Sequence, residues 1–398
     1  MLLKYKSISV VDLLCVLLLF RTTIIEYSIK IIERIPVIGQ FSTPVVQLIL
    51  LVLFLFSFHR IIRLLSMSDY AFYVISVIIL LVHCVLFLDN GVYLNEILYK
   101  IIFHVLPYFF VGRLLNYDRI NKIAIIFGYI SIIIFLFIRF VLHTNDDFNY
   151  VGGDMGGAYL ILPSIILITL NAYETKKIIH ISVAICGIIF LFMLGNRGSI
   201  LYEITFIVLI LLKNIKNTNA ISKIFIVMLL VFLISQFDVI ISRFEHIIEQ
   251  YGFSTRIVDF LSDDNITDDS GRLYLWNNIF DSLKYNFWGL GITGDRVLLN
   301  GMYAHNVFIE ILSSFGFFIG TIINVLLIYV LIKAYRCVRN TNESNFYIAM
   351  ICFGLLPLLT SMSFIEYHYF FILVGYSIGI IKRYCGIRNR KYTILINN

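Results

Sequence analysis

The chain has 398 residues, 60% hydrophobic and only 14% charged, with a mean hydropathy of +0.91. A soluble domain carries about 25% charged residues, so an ordinary water-soluble globule is excluded. The formal charge of +6 is spread thinly and forms no basic tract of the kind that binds nucleic acid. Apolar runs of spanning length recur from end to end, which predicts an all-α polytopic membrane protein. A β-barrel would instead alternate over segments of about ten residues.

In chain order, twelve membrane helices are expected, near 7–21, 42–58, 69–88, 96–112, 122–142, 156–172, 178–194, 199–213, 221–237, 304–332, 345–362 and 367–382. The first run contains Asp12 and has no small-residue cleavage site, so it is read as an uncleaved helix. Residues 21–41 place Glu26, Lys30, Glu33 and Arg34 on one face and Ile24, Ile25, Ile31, Ile32 and Ile35 on the other, a pattern that suits a helix lying in the interface. With both termini cytoplasmic, most of the 31 Lys and Arg residues fall inside, among them Arg60, Arg63, Arg113, Arg119, Lys176, Lys177, Lys333, Arg336, Lys382 and Arg383. Most acidic residues then fall outside, as the positive-inside rule requires. The six cysteines form no CxxC pair, so neither a disulfide framework nor a zinc site is indicated.

This topology leaves one large extracytoplasmic segment, Phe237 to Tyr303, between helices 9 and 10 of a single membrane domain spanning 1–398. A connection of that length is expected to be functional. Trp276, Ile279, Phe280 and Leu283 recur within it at helical spacing, and Ser270 is placed to cap that helix.

Several residues could carry chemistry. Arg197 lies in Leu194-Gly195-Asn196-Arg197-Gly198-Ser199, a tight hairpin with no acidic neighbour. Its planar fork of donors suits phosphate oxygens, although a snorkelling arginine among lipid headgroups reads equally well. Arg272 starts the helix in the outer segment, where the helix dipole disfavours a cation, so a bound anion would explain it. A salt bridge to Asp268 or Asp269 would also explain it. Arg243, Arg256 and Arg296 are further outer arginines, at least one of which is expected to join an anion site. His305 opens a predicted span after a glycine-containing loop, with Asn306 beside it. A neutral imidazole there could accept a proton at ambient pH. Glu310, inside the apolar helix, needs a partner, either His305 or an arginine. Lys100 is paired by sequence spacing with Glu96. His83 and the other histidines sit in spans or loops with nothing to mark them. Asp146, Asp147 and Asp154 form an acidic loop whose spacing matches no coordination motif. No nucleotide-binding fingerprint is present.

The order Arg272…Trp276…Gly289-x-Gly291…His305-Asn306…Gly316, on a large outer loop before the last spans, resembles the O-antigen ligase/O-antigen polymerase superfamily. The ligase form of the histidine motif, H-[N/S/Q]-x9-G-x-x-[G/T/Y], is matched through Gly316. It then departs, because the last position is Ile319 and the glycine comes at Gly320. Arg272 and Gly289 nearly match the R-x15-G motif of the polymerase branch, and Asn196-Arg197-Gly198 is similar to a hairpin of the same proteins.

The resemblance implies a GT-C-like glycosyltransferase of the bacterial inner membrane, acting at its outer face on an undecaprenyl-diphosphate-linked oligosaccharide. It also implies inversion at the anomeric carbon, no metal and no cofactor. Arg197 and Arg272 would hold the diphosphate and His305 would engage the acceptor hydroxyl, with Asn306, Glu310, Gly289 and Gly291 in support. Membrane lipid and a chain-length regulator are the implied partners. The departing motif tail favours a repeat-unit polymerase, with an O-antigen ligase acting on lipid A core as the alternative. A polysaccharide or lipid flippase is the alternative from another class, and the absence of two similar halves weighs against it.

Overall fold

The computed structural model describes residues 9–34, 41–140, 153–194, 196–214 and 271–396. Every described element is helical. Among the described residues, seven helices are long and apolar enough to cross a membrane, with two shorter apolar helices at Val10–Leu19 and Ile178–Phe192. Helices occur at every expected span except the ninth, at 221–237, which lies outside the described residues along with the acidic 146–147 loop and the first part of the outer segment.

The chain divides into two compact units. The first takes Met1–Arg21, Ile29–Ala124 and Asp269–Asn398; the second takes Thr22–Ser28 and Ile125–Asp268. In chain order the helices are α1 (Val10–Leu19), α2 (Tyr27–Glu33), α3 (Ser42–Leu64), α4 (Met67–Leu86), α5 (Gly91–Lys100), α6 (Tyr108–Leu114), α7 (Tyr117–Phe140), α8 (Gly153–Thr175), α9 (Ile178–Met193), α10 (Arg197–Asn214), α11 (Arg272–Tyr285), α12 (Gly294–Leu298), α13 (Val307–Val338), α14 (Glu343–Gly354), α15 (Leu356–Thr360) and α16 (His368–Ile396). A π-turn at Arg21–Glu26 joins α1 to α2, and a second at Ile101–Val105 breaks the α5–α6 crossing just before Pro107. Proline cannot donate the backbone bond that a continuous helix would need there.

In the second unit, α8 is packed on nearly all sides by its neighbours, and Ile161, Leu162, Ile166 and Ile168 have no exposed surface. Glu203 of α10 is fully buried there and accepts from Thr169 Oγ1 at 2.6 Å. In the first unit, α6 and α16 approach backbone to backbone. A Cβ at Gly112 would lie 2.0 Å from the Ile372 carbonyl oxygen, and one at Gly375 would lie 2.1 Å from that of Phe109. Small residues allow this contact between apolar helices, where dispersion rather than a hydrophobic driving force holds the pair.

One end of the first unit collects groups that charge counting assigns to a single side. Arg113 makes a two-pronged contact with the buried Asp69 (2.7 and 3.2 Å), Lys382 joins it at 3.0 Å, and Arg383 meets Glu343 at 2.6 Å.

The largest departure from expectation is in α13. The expected span at 304–332 is two helices that meet at Gly316, which has φ 77° and ψ 172°. Asn324 Nδ2 donates to the Phe308 carbonyl at 3.0 Å although the two lie 16 residues apart. In a straight helix that separation would be about 24 Å. A Cβ at Gly320 would also lie 2.8 Å from Leu312 Cα. The chain therefore doubles back at Gly316, and the half-helix from Val307 runs antiparallel to the start of the longer arm. That longer arm, Phe317–Val338, is about 33 Å long, enough by itself to cross a hydrocarbon core of about 30 Å. The half-helix carries His305 back alongside the longer arm, so the histidine lies away from the Gly316 turn.

Candidate active site around His305

α11 presents Leu275, Ile279 and Leu283 at helical spacing, and these pack with Leu299, Ala304 and Ile309. Phe280, expected on this face, is 40% exposed. Burying three aliphatic side chains contributes several kcal/mol by area, about 1.5–3 kcal/mol each, and ties the outer segment to the half-helix. Trp276 Nε1 adds a 2.8 Å bond to the Ala304 carbonyl, directly before the histidine. Gly271, in the left-handed conformation, occupies the N-cap of α11; Ser270, Asp268 and Asp269 lie outside the described residues.

The glycine loop is a docking strap. Leu290 N donates to Ser313 O at 2.7 Å, and a Cβ at Gly289 would meet Gly316 N at 2.4 Å. On its other side, Asn90 Nδ2 donates to the Leu290 and Ile292 carbonyls (2.7 and 3.0 Å), and Ile292 N donates to His83 Nδ1 at 2.9 Å. A Cβ at Gly291 would collide with the Phe87 ring at 2.5 Å. Gly289 and Gly291 therefore serve packing: they let the strap lie between the doubled-back helix and the end of α4. His83, unremarkable in sequence, accepts one of its bonds.

His305 follows this strap. Among the described residues, four non-glycine residues have positive φ, and three lie between strap and half-helix: Thr293 (66°), Asn300 (53°) and His305 (51°). Such conformations cost energy and cluster where the surrounding structure imposes them for function. Asn306 caps the half-helix, accepting from Phe308 N at 3.0 Å and Ile309 N at 3.4 Å, which fixes the backbone next to the histidine.

The His305 ring is held on two sides. Tyr303 packs against it, centroid to centroid at 4.1 Å, and donates its hydroxyl to the Ser361 carbonyl at 2.6 Å. His305 Nδ1 lies 3.3 Å from the same carbonyl. A carbonyl only accepts, so the proton of the neutral ring belongs on Nδ1 and the lone pair on Nε2. Burial pushes the His305 pKa below the ordinary histidine value of 6.5. The Ser361 bond opposes that shift, and the charges of Arg272 and Arg296 add to it. Arg272 is thus near enough to be felt electrostatically by the imidazole.

Beneath the ring lies a buried ionic cluster. Glu310 accepts from Ser363 Oγ and, at 3.1 Å, from Phe364 N. Arg296 Nη1 sits 3.6 Å from Glu310 and 3.7 Å from Asp295, while Nη2 reaches Ser363 Oγ at 3.0 Å and Glu366 at 3.5 Å. The Arg296 guanidinium also lies 5.2 Å from the Tyr303 ring centre. Asp295 receives Ala304 N at 3.1 Å. Glu310 therefore pairs with an arginine and does not touch His305; it grips the 363–364 turn that follows the Ser361 acceptor. Lys100 pairs with Glu366 at 2.9 Å, not with Glu96. Arg296 does reach the site, but its charge faces carboxylates.

The structure thus brings Arg272, Gly289, Gly291, His305, Asn306 and Glu310 onto one scaffold in the first unit. Arg197 begins α10 in the second unit. Arg243 and Arg256 lie outside the described residues. Sequence reading overlooked Tyr303, Ser361, Ser363, Glu366 and Asn90, which carry no local motif and act only through contacts distant in the chain.

The family model described as O-antigen ligase matches residues 182–325, a stretch that includes Arg197, Arg272, His305 and Gly316. The ComP-specific O-oligosaccharyltransferase of Acinetobacter baylyi is 27% identical over 154 residues, which is 33% of this chain. The match spans 28% of that relative's length. No solved structure matches. These likenesses support membership of the broad O-antigen ligase/polymerase superfamily of glycan-handling membrane enzymes, without specifying a subtype.

Proposed function

We propose that the chain is an O-antigen ligase-type glycosyltransferase, which moves a glycan from a lipid diphosphate carrier, undecaprenyl diphosphate, onto an acceptor hydroxyl. The observation that carries this reading is the placement of His305 Nδ1 3.3 Å from the Ser361 carbonyl, which favours the tautomer with the proton on Nδ1 and leaves Nε2 as a proton acceptor. In the proposed step the acceptor hydroxyl gives its proton to Nε2 as its oxygen bonds to the anomeric carbon. The bond from that carbon to the diphosphate oxygen breaks, and the carrier diphosphate leaves with the electron pair. Arg272, with Arg197 on its sequence context, would stabilise the charge that develops on the leaving group. Attack opposite the leaving group inverts the anomeric centre, and the side chains named here perform the step without a metal. The setting is the extracytoplasmic side of the bacterial inner membrane, with both termini cytoplasmic and a twelve-span, GT-C-like plan.

The acceptor is the point on which the sequence reading changes. The motif tail, Ile319 followed by Gly320, favoured a polymerase. Gly320 faces Leu312 across the helix turn, whereas Ile319 is 42% exposed. Gly320 thus has a packing role at this position. The O-antigen ligase model and the O-oligosaccharyltransferase relative favour transfer to a non-repeat acceptor, either lipid A core or a protein hydroxyl.

Analysis of lipid-linked intermediates in a deletion strain separates the readings. A ligase-type enzyme predicts full-length glycan stranded on undecaprenyl diphosphate and an unmodified lipid or protein acceptor. Single repeat units attached to the surface acceptor would instead identify a polymerase.

A further inference from the structure

We propose that Tyr285, Phe287 and Trp288, at the end of α11, form a wedge that inserts into the lipid interface beside the membrane-spanning arm of α13 and anchors the outer segment to the bilayer. Three observations carry this. First, the three aromatic side chains are 89%, 53% and 70% exposed and cluster at the C-terminal end of α11, whose inward face of Leu275, Ile279 and Leu283 is buried while Leu273, Tyr274 and Phe280 are also exposed. Nothing in α11 itself requires three exposed aromatics within four residues. Second, the wedge is fused to a membrane helix by backbone contact: a Cβ at Gly316 would lie 2.3 Å from the Phe287 carbonyl oxygen and 2.5 Å from Trp288 C. Third, the arm that starts there continues the same surface, with Phe317 and Phe318 exposed at 58% and 60% and Ile322 and Val325 beyond them.

An apolar face on a helix long enough to cross a membrane is covered by lipid. An aromatic cluster continuous with the end of that face is where amphipathic rings settle, between hydrocarbon and headgroups. Phe287 and Trp288 pack edge to face at 5.5 Å, which presents them as one unit. Lys284, beside them and 69% exposed, is placed for the headgroup layer. The strap that follows, Gly289 to Gly291, leads through α12 to the His305 loop, so the wedge sets the height of that loop relative to the membrane. Lipid contact here does not depend on the reaction assigned above.

The chain has two tryptophans, Trp276 and Trp288, so Trp276→Phe leaves Trp288 as the sole indole in the full-length protein. The protein would be reconstituted into phosphatidylcholine bilayers with and without bromines on the acyl chains near the interface. The expected result is blue-shifted Trp288 emission, with roughly half or more lost to brominated lipid and little lost to aqueous acrylamide, as for an interfacial ring. Since Trp276→Phe also removes a hydrogen bond, the same comparison is made by subtracting the emission of Trp288→Phe from that of the unaltered chain. Red-shifted emission quenched by acrylamide alone would overturn the proposal in favour of a water-exposed cap. Emission reached by neither quencher would also overturn it, in favour of burial against a second copy or another protein.

Discussion

The imidazole at position 305 is set up by three neighbours that do different jobs. Asn306 fixes its backbone, Tyr303 covers one face, and the Ser361 carbonyl selects the tautomer. His305→Gln is expected to lower turnover by about 10²–10⁴-fold while the protein accumulates normally; wild-type glycan transfer in that variant would remove His305 as the base. The depressed pKa has a definite sign. A base must be neutral to act, and a pKa held below 6.5 keeps it neutral at ambient pH, so activity should fall on acidification only below the ordinary histidine range. Arg272 contributes to that depression. In Arg272→Gln the residual activity should therefore show its acid limb moved to higher pH, a shift measurable from kcat/KM profiles. An unmoved limb would place Arg272 too far from the ring to matter. Position and residue type made His305 and Asn306 legible in sequence. Tyr303 and Ser361 were not, because a tyrosine and a backbone carbonyl acquire their roles only when the 359–366 turn arrives beside them.

At the level of elements, the doubling back of α13 at Gly316 organises the site. It lays the half-helix against its own spanning arm, and its tight turn accepts the glycine strap. Gly316→Ala would combine a positive φ with atoms of Phe287 and Trp288 within 2.5 Å. The expected cost is about 2–4 kcal/mol, read as a fall in thermal unfolding midpoint in detergent. Gly271→Ala has the same φ of 77° but nothing within 4 Å, so it should cost only the conformational share, about 1–2 kcal/mol. Equal losses in the two variants would argue against the close contact at the turn. Sequence periodicity finds helices, and it found one here. It cannot show a reversal at a single glycine, because both arms are apolar and share one uninterrupted hydropathy signal. The same limit applies to Lys100, whose partner proved to be Glu366 on a distant turn and not Glu96 one helical turn away.

For the molecule as a whole, the proposal that Arg197 and Arg272 hold one diphosphate makes a prediction that needs no further geometry. Arg197→Ala and Arg272→Ala should each cripple transfer, and the double variant should lose less than the product of the two single losses, because groups that clamp one anion are not independent. Strict multiplication of the losses would assign them to separate tasks. Lysine at either position should restore only part of the activity, since a point charge lacks the two-pronged fork. The sequence by itself determined the class of molecule. Helices rich in apolar residues with few charges belong in lipid, and an ordered set of glycine, arginine and histidine positions marked the candidate site. Only the tertiary structure decided that Gly316 is a reversal, that Gly289 and Gly291 fit a strap between two helices, and that Glu310 serves Arg296 and the 363–364 turn without touching the histidine. The physical reason is that composition and periodicity act locally along the chain, whereas close backbone approach, buried ion pairing and tautomer choice arise between residues far apart in sequence.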